Sequence, residues 1–360
     1  MSMRVALIAP PFIPVPPVRY GGTELFIDHL ARGLAALGHD PVVYANGESR
    51  VDCELRWLYP RMEWPITDPG EANLKNLTHT AWAVRDAVDH CDLIHINDVC
   101  GVFFSRFADV PFVHTLHHPH LESLSTVYLR FPEIAYVTIS DFQRRLERMP
   151  HVTTIHHGVD LARYRFSAEK RDYLVFLGRM APCKGPHLAI EVARRTGLPL
   201  KLAGEIQPLF RDYWEAEVAP RIDGSLVEYV GEADLEMKNE LLAGARALLF
   251  PIQWDEPFGL VMIEALACGT PVVALRGGSV DEVVGEAGIV CTSVEEMAAA
   301  VRALDIRPEV CRLRAAEHFS LMAMARKYEA VYLEAVGRAA PAFVAPAGGV
   351  EAAVAQARDA

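Results

Sequence analysis

Glu256 and Glu264 stand eight residues apart in DEPFGLVMIEALACGTPVVA, residues 255 to 274. An acidic residue, then Pro257, then Gly259 is a helix start, and the first N–H groups of a helix have no intrahelical partners. The helix dipole adds partial positive charge at that end, so Phe258, Gly259 and Leu260 can receive an anion. With a start near Phe258 and about 1.5 Å of rise per residue, Glu264 lies roughly 9 Å along the helix. One helix can then hold a phosphate at its tip and hydroxyls at either side, because ionised carboxylates accept strong hydrogen bonds from O–H donors. The implied ligand is a sugar attached to a nucleotide through phosphates. Two glutamates so spaced are by default solvated side chains, and the case rests on what surrounds them.

Two further loops carry compatible chemistry. GRMAPCKG, residues 178 to 185, follows an apolar run and precedes HLAIEVARR, so Gly178, Arg179 and Lys184 can set two cations against a diphosphate. RYGGTE, residues 19 to 24, opens the amphipathic stretch LFIDHLARGLAALGH. There Gly21 and Gly22 can bring backbone N–H groups to a phosphate or sugar, and Thr23 adds a hydroxyl. The spacing is not G-x-G-x-x-G, which disfavours a dehydrogenase-type dinucleotide site. HTLHHPH supplies His114, His117, His118 and His120, but no acidic or cysteine partner sits at zinc-ligand spacing, so no metal is assigned.

The segment E-P-F-G-L, the glutamate at 264, A-x-A-x-G-T-P-V-V-A and the pair Gly277–Gly278 together resemble glycosyltransferase family 4. These are retaining enzymes of GT-B fold that include sucrose and glycogen synthase relatives. The resemblance implies that Arg179 and Lys184 clamp the donor diphosphate, that Glu256 binds sugar hydroxyls and that Glu264 binds the ribose. It selects His117 as the histidine facing the transferred sugar, where imidazole can support transition-state charge. It sets Gly21, Gly22 and Thr23 against the donor, Glu205 of LAGEIQP at the nucleotide, and Gly277 and Gly278 of RGGSVDE near the phosphates. HHGVD at 156 to 160 departs from the usual P-N-G-V-D, which puts the interdomain hinge details in doubt. Asp98 of HINDVCG is a candidate on the acceptor side, with a helix cap as the competing reading. The implied reaction retains anomeric configuration by front-face attack and uses no metal and no cofactor, with a UDP-, GDP- or ADP-sugar as substrate.

These residues need elements to position them. Short apolar runs alternate with amphipathic segments, the pattern of parallel βαβ units. The runs at 4–9, 40–45, 92–97, 111–116, 134–140 and 152–158 make one doubly wound domain; those at 173–178, 198–204, 226–231, 245–251, 270–275 and 287–291 make a second. The expected class is α/β, with two Rossmann-like domains facing a cleft at their strands' carboxyl ends. The division is 1–165 for an acceptor-binding domain and 166–319 for a nucleotide-sugar domain, with the charged stretch 159–172 as the linker. A helix at 320–336 crosses back onto the first domain, as the resemblance implies. The tail 337–360, rich in Ala, Pro and Gly, reads as disordered with a short helix near 350–358.

Composition narrows the alternatives. Net charge is −12, and both halves are acidic, which argues against nucleic acid as a partner. Seven scattered cysteines without a C-x-x-C pair fit a reducing cytoplasm. Four prolines interrupt the N-terminal apolar stretch before residue 17, so it reads as a strand and loop rather than a signal peptide. No apolar run reaches the roughly 20 residues of a membrane span. Arg144, Arg145 and Arg148 allow a weak peripheral membrane contact, although with Asp141 and Glu147 nearby they read first as a solvated face. Glycoside hydrolysis leaves the cationic loop unexplained. A same-fold sugar-nucleotide epimerase and a catalytically silent nucleotide-sugar-binding protein are the alternatives. The acceptor is not readable.

Overall fold

The computed structural model describes residues 2–19 and 21–338. Among them two sheets form, and every strand pairing within them is parallel. The first contains β1 (Arg4–Ile8), β2 (Asp40–Ala45), β3 (Glu54–Trp57), β4 (Leu93–Ile96), β5 (Phe112–Leu116), β6 (Ala135–Thr138) and β7 (Val152–Thr154), in the order β3-β2-β1-β4-β5-β6-β7. The second contains β8 (Leu174–Leu177), β9 (Leu200–Ala203), β10 (Val227–Tyr229), β11 (Ala247–Phe250), β12 (Val272–Leu275) and β13 (Gly288–Cys291), in the order β10-β9-β8-β11-β12-β13.

Parallel sheets carry helices on both faces, so their central strands must be apolar on both sides. β1 shows this directly: Val5 and Leu7 belong to the cluster on one face, and Ala6 and Ile8 to the cluster on the other. All twelve apolar runs of the sequence become strands. β3, ELRW, was not among them. It pairs only with β2 at the sheet edge and is half exposed, so it never needed an apolar run.

The chain leaves the first sheet after β7 and returns after residue 319, and the two crossings run side by side. Val159 N donates to Phe319 O and Leu321 N to Val159 O, each at 2.9 Å. The returning helix, Leu321–Arg338, then buries Met324, Tyr328, Val331, Tyr332 and Ala335 in the first sheet's core. A fully buried side chain such as Met324 contributes roughly 1.5–3 kcal/mol. The two tyrosines carry hydroxyls into that core, and buried polar groups need partners. His95 Nδ1 lies 2.7 Å from Tyr332 Oη, and Thr115 Oγ1 lies 3.0 Å from Tyr328 Oη. The helix therefore includes Gly337 and Arg338, which the sequence had assigned to the tail. Residues 339–360, with the expected short helix at 350–358, lie outside the described residues.

In each sheet the strand order reverses between two neighbours, β1 and β4 in the first and β8 and β11 in the second. Ligands of such sheets bind beyond the carboxyl ends of strands at that reversal. Three chemistry-bearing segments of the sequence follow these strands: 19–24 after β1, 178–185 after β8 and 254–260 after β11.

Candidate active site

A cavity of about 360 Å³ lies between the two sheets. The first sheet contributes Gly21, Gly22, Thr23, His29, His117 and His157; the second contributes Gly178, Arg179, Lys184, Glu205, Lys238, Glu256 and Phe258 to Leu260, with Glu264 behind them. The helix that carries Glu264 begins at Leu260, two residues later than the expected start, with Gly259 as its N-cap. Gly259 has φ of +80°, and a Cβ there would lie 2.7 Å from the Met262 side chain. This left-handed turn leaves the first N–H groups of the helix at the cavity, where they can receive an anion.

Four carboxylates line the cavity, Glu205, Glu232, Glu256 and Glu264, and three of them are held by separate partner sets. Glu256, buried, forms an ion pair with Lys184 and accepts the Trp254 indole N–H at 2.8 Å. The Lys184 ammonium also lies 4.9 Å from the Trp254 ring centroid, a cation–π distance. Glu264 accepts from Tyr164 Oη at 2.8 Å and Lys238 Nζ at 2.9 Å. Glu205 accepts from Trp64 Nε1 at 2.7 Å and Gln207 Nε2 at 2.9 Å, and burial pushes its carboxyl above the usual range. Trp64 belongs to the loop after β3, so its bond to Glu205 spans the cleft.

The opposite wall is built of imidazoles held neutral by burial. His117, just beyond β5, packs edge-on against Phe26 at 4.9 Å, stacks on His157 at 5.5 Å, and meets Asn97 Oδ1 through Nε2 at 3.0 Å. Burial, and then the neighbouring His157, hold it well below the usual histidine range. Burial lowers His157 to about 3 and His29 to about 4. Neutral rings can hydrogen-bond a sugar without placing positive charge beside an electron-poor anomeric carbon. Glu24, buried in the first turn after Gly21 and Gly22, has its carboxyl pushed up to about 7 by burial.

Two family models match consecutive parts of the chain: Glycosyltransferase Family 4 over residues 20–163 and Glycosyl transferases group 1 over residues 162–312. The chain is a glycosyltransferase of GT-B fold. It is 27% identical to a glycogen synthase of Mycobacterium tuberculosis, over 92% of this chain and 95% of that one. Among solved structures it resembles a sucrose-phosphate synthase from Thermosynechococcus elongatus (TM-score 0.75, 20% identity, 92% and 98% of the two chains). It also resembles Anabaena Alr3699/HepE in complex with UDP-glucose (TM-score 0.73, 18% identity, 92% and 100%).

Not every residue singled out in the transferase sequence lines the cavity. Gly277 and Gly278 stand behind it: a Cβ on Gly278, at φ +58°, would lie 2.2 Å from Glu256 O, and one on Gly277 would lie 2.6 Å from Trp254 O. They let the chain pass against the backbone of the Glu256 loop and are not among the cavity-lining residues. Asp98 caps the short 3-10 helix Val99–Phe107, accepting from Cys100 N at 2.8 Å, Thr80 Oγ1 at 3.2 Å and Asn76 Nδ2 at 3.3 Å. With its oxygens so engaged it is not part of the cavity wall, and the cap reading describes it. The histidines of HTLHHPH diverge: His114 faces Ile96 O, His118 Tyr128 and His120 Glu147. Arg144 donates to Glu147 O, and Arg145 lies over the Phe142 ring. Among the described residues no helix is long and apolar enough to cross a membrane.

Sequence reasoning missed His29, Trp64, His157, Tyr164, Lys238 and Trp254 as parts of this region. Only Trp254, two residues before Glu256, and His157, in the altered P-N-G-V-D motif, carried a signal that pointed here.

Proposed function

We propose that this glycosyltransferase moves a hexose from a nucleotide-diphosphate sugar to an acceptor hydroxyl, with retention of configuration and without a metal ion. The observation that carries the reading is the convergence of Arg179, Lys184 and the Gly259–Leu260 helix start on one cavity, opposite His117. Two cations and a helix start stabilise the charge that develops on a departing diphosphate. The diphosphate takes Lys184, and Glu256, so released, accepts sugar hydroxyls. Glu264 with Lys238 and Tyr164 offers polar groups to the ribose. Metal independence is supported by the partner sets of three of the four cavity carboxylates, Glu205, Glu256 and Glu264, which protein donors already engage. No dedicated base is needed when the leaving phosphate takes the acceptor's proton. The resemblance to a structure bound to UDP-glucose favours a nucleotide sugar as donor.

The test follows the product of the nucleotide sugar that binds, in the presence of EDTA, by proton NMR. Retention gives a product with the donor's anomeric coupling before mutarotation, at a rate that EDTA leaves unchanged. An inverted product, or activity abolished by EDTA and restored by Mg²⁺ or Mn²⁺, contradicts the reading.

A further inference from the structure

Glu282 joins the two halves of the molecule through a carboxylate outside the cavity. It sits on the short helix Val280–Val284 of the second sheet's layer. Its oxygens accept from Asp141 N at 2.8 Å and Phe142 N at 3.0 Å, both on the first sheet's side, and His156 Nε2 lies 3.1 Å away. A carboxylate shared by two N–H groups makes charge-assisted hydrogen bonds, about twice as strong as neutral ones.

Each end of this junction leads to a site residue. On the first side, Asp141 and Phe142 begin a turn that carries Gln143, which is buried. The Gln143 carboxamide donates to Leu116 O at 3.1 Å and His118 O at 2.7 Å, the carbonyls immediately before and after His117, and accepts from Ile139 N at 2.9 Å. On the second side, Ser279 lies one helical turn before Glu282. Its N–H donates to Glu256 O and its hydroxyl to Phe258 O, each at 2.9 Å. Arg314 holds the far end of the same helix through Glu282 O at 2.6 Å and Val283 O at 2.8 Å.

We propose that Glu282 is a positioning residue that sets His117 in register with the Glu256–Phe258 loop across the cleft, an inference that rests on the transfer reading above. The path runs from Glu256 and Phe258 through Ser279 to Glu282, then through Asp141 and Phe142 to Gln143 and the backbone around His117. His117 and the donor loop come from different domains, so their mutual placement depends on such a junction. An error of about 1 Å between reacting groups costs on the order of a hundredfold in rate. Asp141, His156 and Glu282 also lie within 4.8 Å of one another, a spacing that can hold a cation. Both Glu282 oxygens already accept N–H groups, which favours the junction.

The test uses the intact chain with Glu282→Gln, an isostere without charge, and Glu282→Asp, which shortens the reach. Hydrogen exchange without ligand is expected to quicken in residues 139–146 and 114–119 of Glu282→Gln, while Ala247–Phe250 stays unchanged. With UDP-, GDP- or ADP-glucose as probes, turnover is expected to fall about tenfold to a hundredfold. The Kd of the matching nucleoside diphosphate is expected to stay within about twofold, because the lost interaction is one of alignment and not of ground-state binding. In a His117→Ala background, Glu282→Gln is expected to add little, since both act through the same group. Unchanged exchange at 114–119 in both variants, unchanged turnover, or an equal loss in the His117→Ala background overturns the inference. If no nucleotide binds the wild type, the transfer reading fails, and exchange at 114–119 still decides whether Glu282 reaches His117.

Discussion

Trp64 and Glu205 approach each other from opposite sides of the cleft, and the indole Nε1 donates to Glu205 Oε1 at 2.7 Å. Trp64 hangs on the loop after the edge strand β3, and Glu205 follows β9 beside Gly204 at the cavity wall. The bond ties a first-sheet loop to the Glu205 wall of the cavity, the end proposed to take the nucleotide.

Trp64→Phe keeps the ring and removes the donor. A buried carboxylate that loses a hydrogen bond costs about 1 kcal/mol or more. Donor binding measured by calorimetry is expected to weaken about fivefold to tenfold, with turnover at saturating donor little changed. Unaltered affinity would detach Trp64 from the donor site.

Lys184→Ala removes the cation proposed to face the diphosphate and leaves buried Glu256 with the Trp254 indole N–H but no cation. Loss of one such electrostatic contact in a transition state costs roughly two to three orders of magnitude in kcat. Steady-state kinetics check this, with thermal unfolding as a control, because an unpaired buried carboxylate also destabilises the fold. Near-normal turnover would remove Lys184 from the clamp.

Much of this was legible in the chain itself. The apolar runs of β1 and β8 had to be strands because both faces are buried, and the glycine-rich segments after them had to lie at the cleft. β3 was not legible, since an edge strand tolerates Glu54 and Arg56. Gly277 and Gly278 were read as phosphate neighbours, but their small size serves a backbone crossing with Glu256, which motif spacing does not distinguish from ligand contact. Trp64, Tyr164 and Lys238 meet the site only through tertiary packing, and nothing local marks them. Asp98 shows the converse: an acid after a strand serves both caps and sites, and here the nearby Cys100 N–H claims it.

Glu264→Gln is expected to weaken donor binding by about tenfold, with kcat altered less than Kd, because ribose contacts act in ground state and transition state alike. Tyr164→Phe, which removes the 2.8 Å bond to Glu264, is expected to move Kd in the same direction by a smaller factor. A fall in kcat with Kd unchanged would reassign Glu264 to the chemical step.

Stability is expected to fall on acidification. Burial lowers His29 and His79 to about 4 and His95, His114 and His157 to about 3, against 6.5 in the unfolded chain. The unfolded state therefore binds more protons between those values, so this contribution is complete above 6.5 and is lost as pH falls through 5 towards 3. Glu24 works in the opposite sense: raised from 4.5 to about 7, it stabilises the fold at low pH and loses that contribution as pH rises through 7. Burial raises Glu205, Asp28 and Asp98 in the same sense as Glu24. Each ring costs about 1.4 kcal/mol per pH unit, and the five rings outnumber these four carboxyls. Tm by calorimetry should drop clearly from pH 7 to pH 5. A flat profile would mean that the imidazoles are not held neutral by burial.

The most direct measurement is isothermal calorimetry of the full chain with UDP, GDP and ADP and their glucose esters, each with and without EDTA. A donor cleft built on Arg179, Lys184 and the Gly259 helix start predicts micromolar binding of at least one nucleotide, unaffected by EDTA and weakened in Lys184→Ala. Binding of none, or binding only with a divalent ion present, contradicts it.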